Sequence, residues 1–238
     1  MTAALAIARR EFASLFSLPI GWVVIALHLT LSGAVFAIGA LRPGEPASMR
    51  LFFALSNWTL IFVAPAISMR LLAEEQRTGS IDPLMAAPVS EWAIVAGKQL
   101  AAAMFLVVML APTLLYVAVL AALSTPDYGA IALGYLGLLL LGVFYLAIGL
   151  LFSALTSNQI VAFLGTVFFI LLLQLASGRG ALMLGPPLDR YLLAFSVELR
   201  LADFGKGVLD SAHVVFFLAG SAWFLVGAVI ALQSRRWR

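Results

Sequence analysis

The 238-residue chain is 63% hydrophobic and 11% charged, with a mean hydropathy of +1.09 and a formal net charge of +3. This composition excludes an ordinary soluble domain and favours a polytopic membrane protein. The absence of cysteine excludes disulfides, thiolate metal sites and a cysteine nucleophile, and the small positive charge does not indicate nucleic-acid binding.

The first 18 residues have an amphipathic pattern. Arg9 and Arg10 lie on one side of the helical wheel, and the apolar residues of the other side are Leu5, Ala8, Phe12, Leu15 and Phe16. The pattern predicts an interfacial helix over residues 1–18 that Pro19 ends. A secretory signal peptide is the alternative, but no small-residue cleavage pattern follows, and the next apolar run is long enough to span a membrane.

Six apolar runs follow, each long enough to cross a bilayer core of about 30 Å as a helix. They cover residues 20–41, 51–72, 94–123, 129–155, 159–176 and 212–233. Lipid offers backbone groups no hydrogen-bond partner, and the runs lack the strict alternation of barrel strands. We therefore predict an all-α, polytopic membrane protein with about six transmembrane helices, in which Pro65 and Pro112 kink their spans.

The connection at residues 177–211 carries a second amphipathic pattern. Its apolar residues recur at helical spacing, namely Leu188, Leu192, Phe195, Leu199 and Ala202. The pattern predicts one short helix that lies on, or dips into, the outer face of the membrane. Four of the six Lys and Arg residues on this side lie in this long connection, against eight on the side of the termini. Long loops translocate with little regard for charge, so we predict cytoplasmic termini.

Residues 74–92 form a polar island between the second and third spans. They hold five of the 25 charged residues of the chain. Ser80 or Asp82 can cap a short helix with Pro83 in its first turn, and Pro88 ends it. Ser90 can then cap the helix that enters the third span. The pattern predicts a short helix that crosses between two spans, with apolar side chains available to a partner groove, namely Ile81, Leu84 and Met85.

The island resembles a known signature. Extended to Lys98, it is similar to the cytoplasmic loop of ABC-2-type transporter permeases, in the pattern Glu74-Glu75-x-x-x-Gly79-Ser80-Ile81-Asp82-x-Leu84-Met85-x-x-Pro88-Val89-Ser90-x-x-x-Ile94-Val95-x-Gly97-Lys98. Residues 204–210 and the basic C-terminus resemble the subgroup with the gliding-motility permeases and the copper-maturation permease of nitrous oxide reductase. The resemblance covers essentially the whole chain.

The resemblance implies one transmembrane domain over residues 1–238. Within it, residues 1–18 would form an elbow helix, residues 74–92 a coupling loop, and residues 177–211 an extracytoplasmic re-entrant or amphipathic connection. Lys98 would anchor the third span at the membrane interface. The residues that would contact a separate ATPase subunit are Glu74, Glu75, Arg77, Gly79, Ser80, Ile81, Asp82, Leu84, Met85 and Pro88.

The chain lacks the sequence motifs of ATP hydrolysis. No G-x-x-x-x-G-K-[ST] motif occurs, so we expect no cofactor in this chain, no enzymatic activity of its own, and ATP with Mg²⁺ in the partner subunit. No metal-binding motif occurs either, and we expect no metal. His28 and Gln174 are candidate pathway residues within spans, although an interhelical hydrogen bond explains each of them more simply.

The function predicted from these features is that of a permease subunit of an exporter-type ATP-binding-cassette complex. We expect it in the bacterial or archaeal inner membrane, among lipids, as a dimer with a second copy or a paralogue. A subunit that transmits motion to an extracytoplasmic partner and an ATP-independent secondary transporter are alternatives. A membrane-embedded enzyme is a weaker alternative, because the only polar cluster that the sequence offers for its active site is Ser153, Thr156, Asn158 and Gln159. The spans favour a hydrophobic or amphipathic cargo.

Overall fold

Helices account for all the regular structure that could be described. The computed structural model describes residues 3–17, 19–40, 48–81, 83, 89–178, 181, 183 and 185–235. The helices of these ranges are α1 (Ala3–Ser17), α2 (Pro19–Ala40), α3 (Arg50–Ser68), α4 (Ala73–Thr78), α5 (Glu91–Leu110), α6 (Leu114–Leu123), α7 (Tyr128–Leu155), α8 (Gln159–Ser177), α9 (Leu188–Leu193), α10 (Val197–Gly205) and α11 (Ser211–Arg235).

Among the described residues, six stretches are long and apolar enough to cross a membrane, which confirms the all-α class and the number of spans predicted from the sequence. They are Pro19–Gly39, Arg50–Thr78, Glu91–Leu123, Tyr128–Leu155, Gln159–Ser177 and Ser211–Ser234. The second stretch contains α3 and α4, and the third contains α5 and α6. We call the end of the bundle that holds α4 the loop end.

The second and fourth spans form the centre of the bundle. In the most apolar part of each of these two spans, 67% of the residues are buried, against 28–33% in the other four spans. α7 packs against α3, α5 and α11. Its glycines allow these neighbours to approach, because Gly134 contacts Phe53 and Gly142 contacts Leu106 at positions that leave no room for a Cβ. Small residues promote helix packing in lipid in this way.

Proline interrupts the third span where the sequence predicts a kink. Residues Ala111–Thr113 form a single 3₁₀ turn between α5 and α6, with Pro112 at its centre. Proline lacks an N–H and clashes with the carbonyl four residues earlier, which favours the break at Pro112. At Pro65, where the sequence also predicts a kink, α3 continues as a helix to Ser68. The Thr113 hydroxyl donates a 2.6 Å hydrogen bond to Leu110 O at this break.

Over residues 188–205 the structure has two helices where the sequence predicts one. α9 ends at Leu193 and α10 begins at Val197, because the Ser196 hydroxyl accepts a hydrogen bond from Leu199 N at 3.3 Å and caps a new helix. Arg200 of α10 donates to His213 Nδ1 at 2.8 Å, and its guanidinium lies 4.1 Å from the ring centre of Phe216. These contacts fix α10 against α11.

Candidate functional site

Lys98 carries a buried positive charge near the start of α5. Ser90 caps this helix by accepting a hydrogen bond from Ala93 N at 3.2 Å. The Lys98 side chain is fully buried, and its Nζ lies 2.9 Å from Glu75 Oε1 and 3.2 Å from Glu11 Oε1. Both contacts are at ion-pair distance without the alignment of a hydrogen bond. An isolated buried charge is strongly unfavourable, so these carboxylates are what allows the ammonium to stay inside.

Arg10 completes a group of two cations and two anions. Its Nη2 lies 2.8 Å from Glu11 Oε1 and 3.3 Å from Glu75 Oε1. The hydrogen bond to Glu11 raises the pKa of Arg10 above its ordinary value, so this guanidinium stays charged. We call Arg10, Glu11, Glu75 and Lys98 the charge cluster. Because its members come from α1, α4 and α5, the cluster joins three separate parts of the chain at the loop end.

A cavity of about 200 Å³ opens beside the charge cluster. Three carboxylates line it, those of Glu11, Glu74 and Glu75, together with one guanidinium, that of Arg70. One carboxylate oxygen of Glu75, Oε2, is buried without a hydrogen-bond partner among the described residues. The loop end therefore has an acidic recess, and two of the carboxylates that line it, those of Glu11 and Glu75, contact the buried ammonium.

A glycine lets α1 lie directly on the third span. A Cβ at Gly97 would come within 2.7 Å of Ala4 O and 3.0 Å of Ile7 Cβ, so only glycine fits without movement of α1. Gly97 precedes Lys98, and the close approach at one residue brings α1 within reach of the charged side chain at the next. The resemblance predicts that Lys98 anchors the span at the membrane interface, whereas the structure buries Lys98 under α1.

The second span does not run straight into the polar island. Residues 69–72 form a turn between α3 and α4. The Ser153 hydroxyl of α7 accepts hydrogen bonds from Leu72 N at 3.1 Å and Ala73 N at 2.9 Å, and donates one to Met69 O at 3.0 Å. Gln76 adds a 2.9 Å hydrogen bond from its Nε2 to Ala154 O. One hydroxyl thus satisfies three backbone groups that the break leaves open, and α4 is fixed to the central span.

The predicted ATPase-contact residues fall into two groups. Glu74 and Arg77 form an ion pair of 3.1 Å on the exposed side of α4, and Gly79 ends the helix in the left-handed conformation with φ of 73°. The Ser80 hydroxyl lies 2.9 Å from that of Thr78, and Ile81 is buried. The other four, Asp82, Leu84, Met85 and Pro88, lie outside the described residues. ATPase contact stays a prediction for the whole set.

The two candidate pathway residues lie on different helices, and no hydrogen bond joins them. His28 of α2 is fully buried, with its Nδ1 3.1 Å from Thr59 Oγ1 of α3. This contact is of the interhelical kind that the sequence favours. Gln174 of α8 is 6% exposed, and its Nε2 has no hydrogen-bond partner among the described residues.

In the polar cluster considered for an enzyme, three side chains form hydrogen bonds to backbone groups at helix ends. Thr156 Oγ1 accepts from Asn158 N at 3.1 Å, and Asn158 Oδ1 accepts from Ile160 N at 2.9 Å to cap α8. Ser153 holds the turn before α4. The side chains of Ser153, Thr156 and Asn158 therefore connect backbone segments.

The sequence did not identify Arg10 and Glu11 as members of the charge cluster. It also did not identify Ser153 and Gln76 as the residues that hold the turn before α4. Arg10 and Glu11 lie in an amphipathic helix, where charged residues are expected on the solvated face, so the pattern alone does not indicate that they pair with other charges. Ser153 was noted only as a member of the polar cluster considered for an enzyme, and Gln76 had no signal of its own. The one usable clue was Gly97-Lys98 inside an apolar run, because a lysine there needs a carboxylate nearby.

Comparisons with known proteins agree with the resemblance at the level of the family and do not confirm the subgroup. The profile of ABC-2 family transporter proteins matches residues 34–232, which is well over half of the chain. Similar proteins include the probable multidrug ABC transporter permease YbhR from the Escherichia coli strains K12 and O157:H7, each 32% identical over 107 residues. That segment covers 45% of this chain and 28% of the relative, so the match spans less than a third of the relatives' length.

Proposed function

This chain belongs to the ABC-2 family of transporter proteins, and from that premise we propose that it is the permease subunit of an exporter-type ATP-binding-cassette complex. As a family member it is a membrane subunit of a transporter. In the proposal, it forms the translocation pathway and receives its motion from a separate ATPase subunit that binds ATP and Mg²⁺. The contact with that subunit is made by residues 74–92.

The observation that carries this proposal is the charge cluster. Glu75 lies at the start of residues 74–92 and is bound through Lys98 to the third span and through Arg10 to α1. Ser153 and Gln76 connect the same segment to the fourth span. A force applied to the loop therefore acts on several spans together. Such a rigid connection is what transmission of motion from a soluble subunit requires.

ATP is available in the cytoplasm, so the proposal places the loop end, both termini and the acidic recess on the cytoplasmic side of the bacterial or archaeal inner membrane. The weak excess of Lys and Arg on the side of the termini supports this orientation. The permease works as a dimer with a second copy or a paralogue, so that two loops meet two ATPase subunits. The acidic recess beside Glu75 offers acceptors to basic side chains of the ATPase.

The proposed cargo is a hydrophobic or amphipathic molecule. The spans of this chain are almost entirely apolar, and the similar protein YbhR is described as a probable multidrug ABC transporter permease. The same proposal includes membership of the gliding-motility and nitrous-oxide-reductase subgroup. Transmission of motion to an extracytoplasmic partner is the alternative to transport that this membership leaves open.

Purification of the chain from its native membrane in mild detergent tests the proposal. We expect a stoichiometric ATPase subunit to co-purify, and the substitution Leu84→Asp to remove it by placing a carboxylate in the apolar contact. Leu209→Asp is the matched control, because Leu209 is an exposed leucine in the connection between α10 and α11 at the opposite end. Reproducible purification of a permease dimer without any ATPase would contradict the proposal and favour a secondary transporter.

A further inference from the structure

A cavity of about 220 Å³ opens between α3 and α10, at the end of the bundle opposite the loop end. The residues of α3 that line it are spaced by three or four positions, namely Arg50, Phe53, Ala54, Asn57 and Trp58. This spacing places them on one face of the helix, over about 12 Å of its length. Because Arg50 is the first residue of α3 and the loop end follows its last turn, the cavity extends from the end of the bundle toward its middle.

Helix α10 lines the other side of the cavity with one face of its own. Its lining residues repeat the spacing seen in α3, namely Glu198, Leu201, Ala202, Gly205 and Lys206. The small residues Ala54, Ala202 and Gly205 leave the space between the two helices open. The two faces therefore form a largely apolar cleft with charged side chains at its edges, which we call the α3–α10 cleft.

Two side chains of opposite charge in the cleft lack a counter-charge. Arg50 and Glu198 are both exposed, and neither forms an ion pair with the other or with another described residue. Lys206, in contrast, is paired with Asp203 at 3.0 Å. Among the described residues that line the cleft, one cation and one anion are thus available to a ligand, and they are farther from each other than an ion pair allows.

The inner part of the cleft offers no further charge. Asn57 is buried there, and it accepts a 3.0 Å hydrogen bond from the hydroxyl of Tyr145 on α7. The rest of this part is formed by apolar walls that include Phe53 and Leu201. A molecule that satisfies the whole cleft therefore has a head with both charges and an apolar body that follows it.

We propose that the α3–α10 cleft binds the headgroup of a zwitterionic phospholipid that carries a primary amine, as phosphatidylethanolamine does. The phosphate pairs with Arg50, whose guanidinium can donate two parallel hydrogen bonds to it, and the ammonium pairs with Glu198. The second apolar span begins at Arg50, so these charges lie at the level of the lipid headgroups.

The size of the cleft agrees with a headgroup. Sites that enclose a whole small molecule usually have volumes of about 300 Å³ or more. With about 220 Å³, the cleft holds the headgroup and the start of one acyl chain, while the rest of the lipid stays in the bilayer. This inference goes beyond the proposed permease function and does not depend on it.

Two photoreactive phospholipids test the binding. Phosphatidylethanolamine and phosphatidylglycerol with the same diazirine-bearing acyl chain share the phosphate, and only the first has an ammonium. With the full-length protein in phosphatidylcholine nanodiscs, we expect the ethanolamine probe to label peptides of α3 and α10 about threefold more strongly than the glycerol probe, the ratio of one exposed ion pair. Labelling of α8, which carries the exposed Phe168, is the reference for lipid contact outside the cleft.

Two substitutions separate the roles of the charges. Glu198→Gln removes the partner of the ammonium, so the ratio of the two probes should fall to one or below. Arg50→Gln removes the partner of the phosphate, so labelling by both probes should fall by a similar factor of about three. Arg190→Gln, at an exposed site of α9 outside the cleft, is the matched control and should change nothing.

Filling the cleft separates a site within it from charge at the membrane surface. Ala202 is exposed on the wall of the cleft, and Ala202→Trp occupies the space without a change of charge. We expect labelling of α3 and α10 by both probes to fall to the level of α8. A preference for the ethanolamine probe that persists in Ala202→Trp would overturn the proposal, because the charges would then act on headgroups outside the cleft.

Two other outcomes overturn the proposal. Equal labelling by the two probes in the natural protein means that the ammonium is not recognised. Absence of labelling, together with cross-linking of two copies through Ala54→Cys, means that a second copy covers the cleft. None of these measurements requires an ATPase, so a negative result leaves the proposed function as it stands, and a failure of the proposed function leaves this site as it stands.

Discussion

The ammonium of Lys98 lies 2.9 Å from a carboxylate oxygen of Glu75, although the two residues lie on opposite sides of the polar loop. The pair closes the loop at its base. Because the lysine is fully buried and the carboxylate 16% exposed, the contact is shielded from solvent and little screened by salt. The base of the loop is therefore a rigid structure, joined to α1 by Glu11 and Arg10.

Removal of the buried cation should destabilise the protein. In Lys98→Met, two neighbouring carboxylates keep only Arg10 as a partner, and we expect the free energy of unfolding to fall by about 3 kcal/mol. SDS titration in mixed micelles measures it. Lys206→Met is the control, because its ion pair with Asp203 is exposed and should cost about 0.5 kcal/mol.

A compensating substitution checks the cause of that loss. Lys98→Met combined with Glu75→Gln restores the balance of charge, and we expect it to recover more than half of the lost stability. An equal or larger loss in the double variant would mean that the cluster does not act through pairing of charge.

Loss of the Ser153 hydroxyl should weaken the turn before α4. Ser153→Ala leaves the backbone N–H groups of Leu72 and Ala73 buried without an acceptor, and we expect a loss of about 2 kcal/mol in unfolding free energy. Ser157→Ala, at an exposed position in the connection to α8, is the matched control. Hydrogen exchange of residues 69–78 should accelerate in Ser153→Ala only, and unchanged exchange there would contradict the role assigned to this hydroxyl.

A larger residue at position 97 should displace α1 from the third span. Gly97→Val places methyl groups where Ala4 and Ile7 lie, whereas Ala96→Val introduces the same side chain at an exposed neighbour. The chain has no native cysteine, so a single Ala8→Cys in each background reports on the contact. Maleimide should label it at least several-fold faster with Gly97→Val. Equal rates in both backgrounds would show that α1 does not depend on this glycine.

The stability of helix α10 should depend on pH in the acidic range. The hydrogen bond from Lys206 at 3.0 Å, with a smaller contribution from His213, holds the pKa of Asp203 below its ordinary value of about 3.9. A depressed folded-state pKa contributes stability that is complete above the unfolded pKa and is lost as pH falls through the folded one. Lys206→Met should raise the pKa of Asp203, as measured by carboxyl carbon NMR. An unchanged titration would contradict the assigned contact.

The bounds of the helices could be predicted closely from the composition of the chain, whereas the contacts among polar residues could not. The runs of about 20 apolar residues and the prolines at positions 19 and 112 predicted spans and breaks that the structure contains. The single amphipathic helix predicted over residues 188–202 divides at Ser196, because a serine cap competes with helical periodicity that continues across it. His28 was recognised as a buried interhelical residue, yet its partner Thr59 could not be chosen from the sequence.

The sequence by itself determined the class of the protein, the number of spans and the location of the polar loop, since hydrophobicity and periodicity are local properties of the chain. Only the tertiary structure decided that Glu11 and Glu75 neutralise Lys98, that Ser153 completes a turn far from it in the chain, and that His28 lies against Thr59. Pairing of charges and hydrogen bonds depends on distances of about 3 Å between residues that are remote in sequence. Those distances are set by how the helices pack. The sequence shows a glycine at position 97, but its effect on packing depends on which residues lie against it in the folded protein.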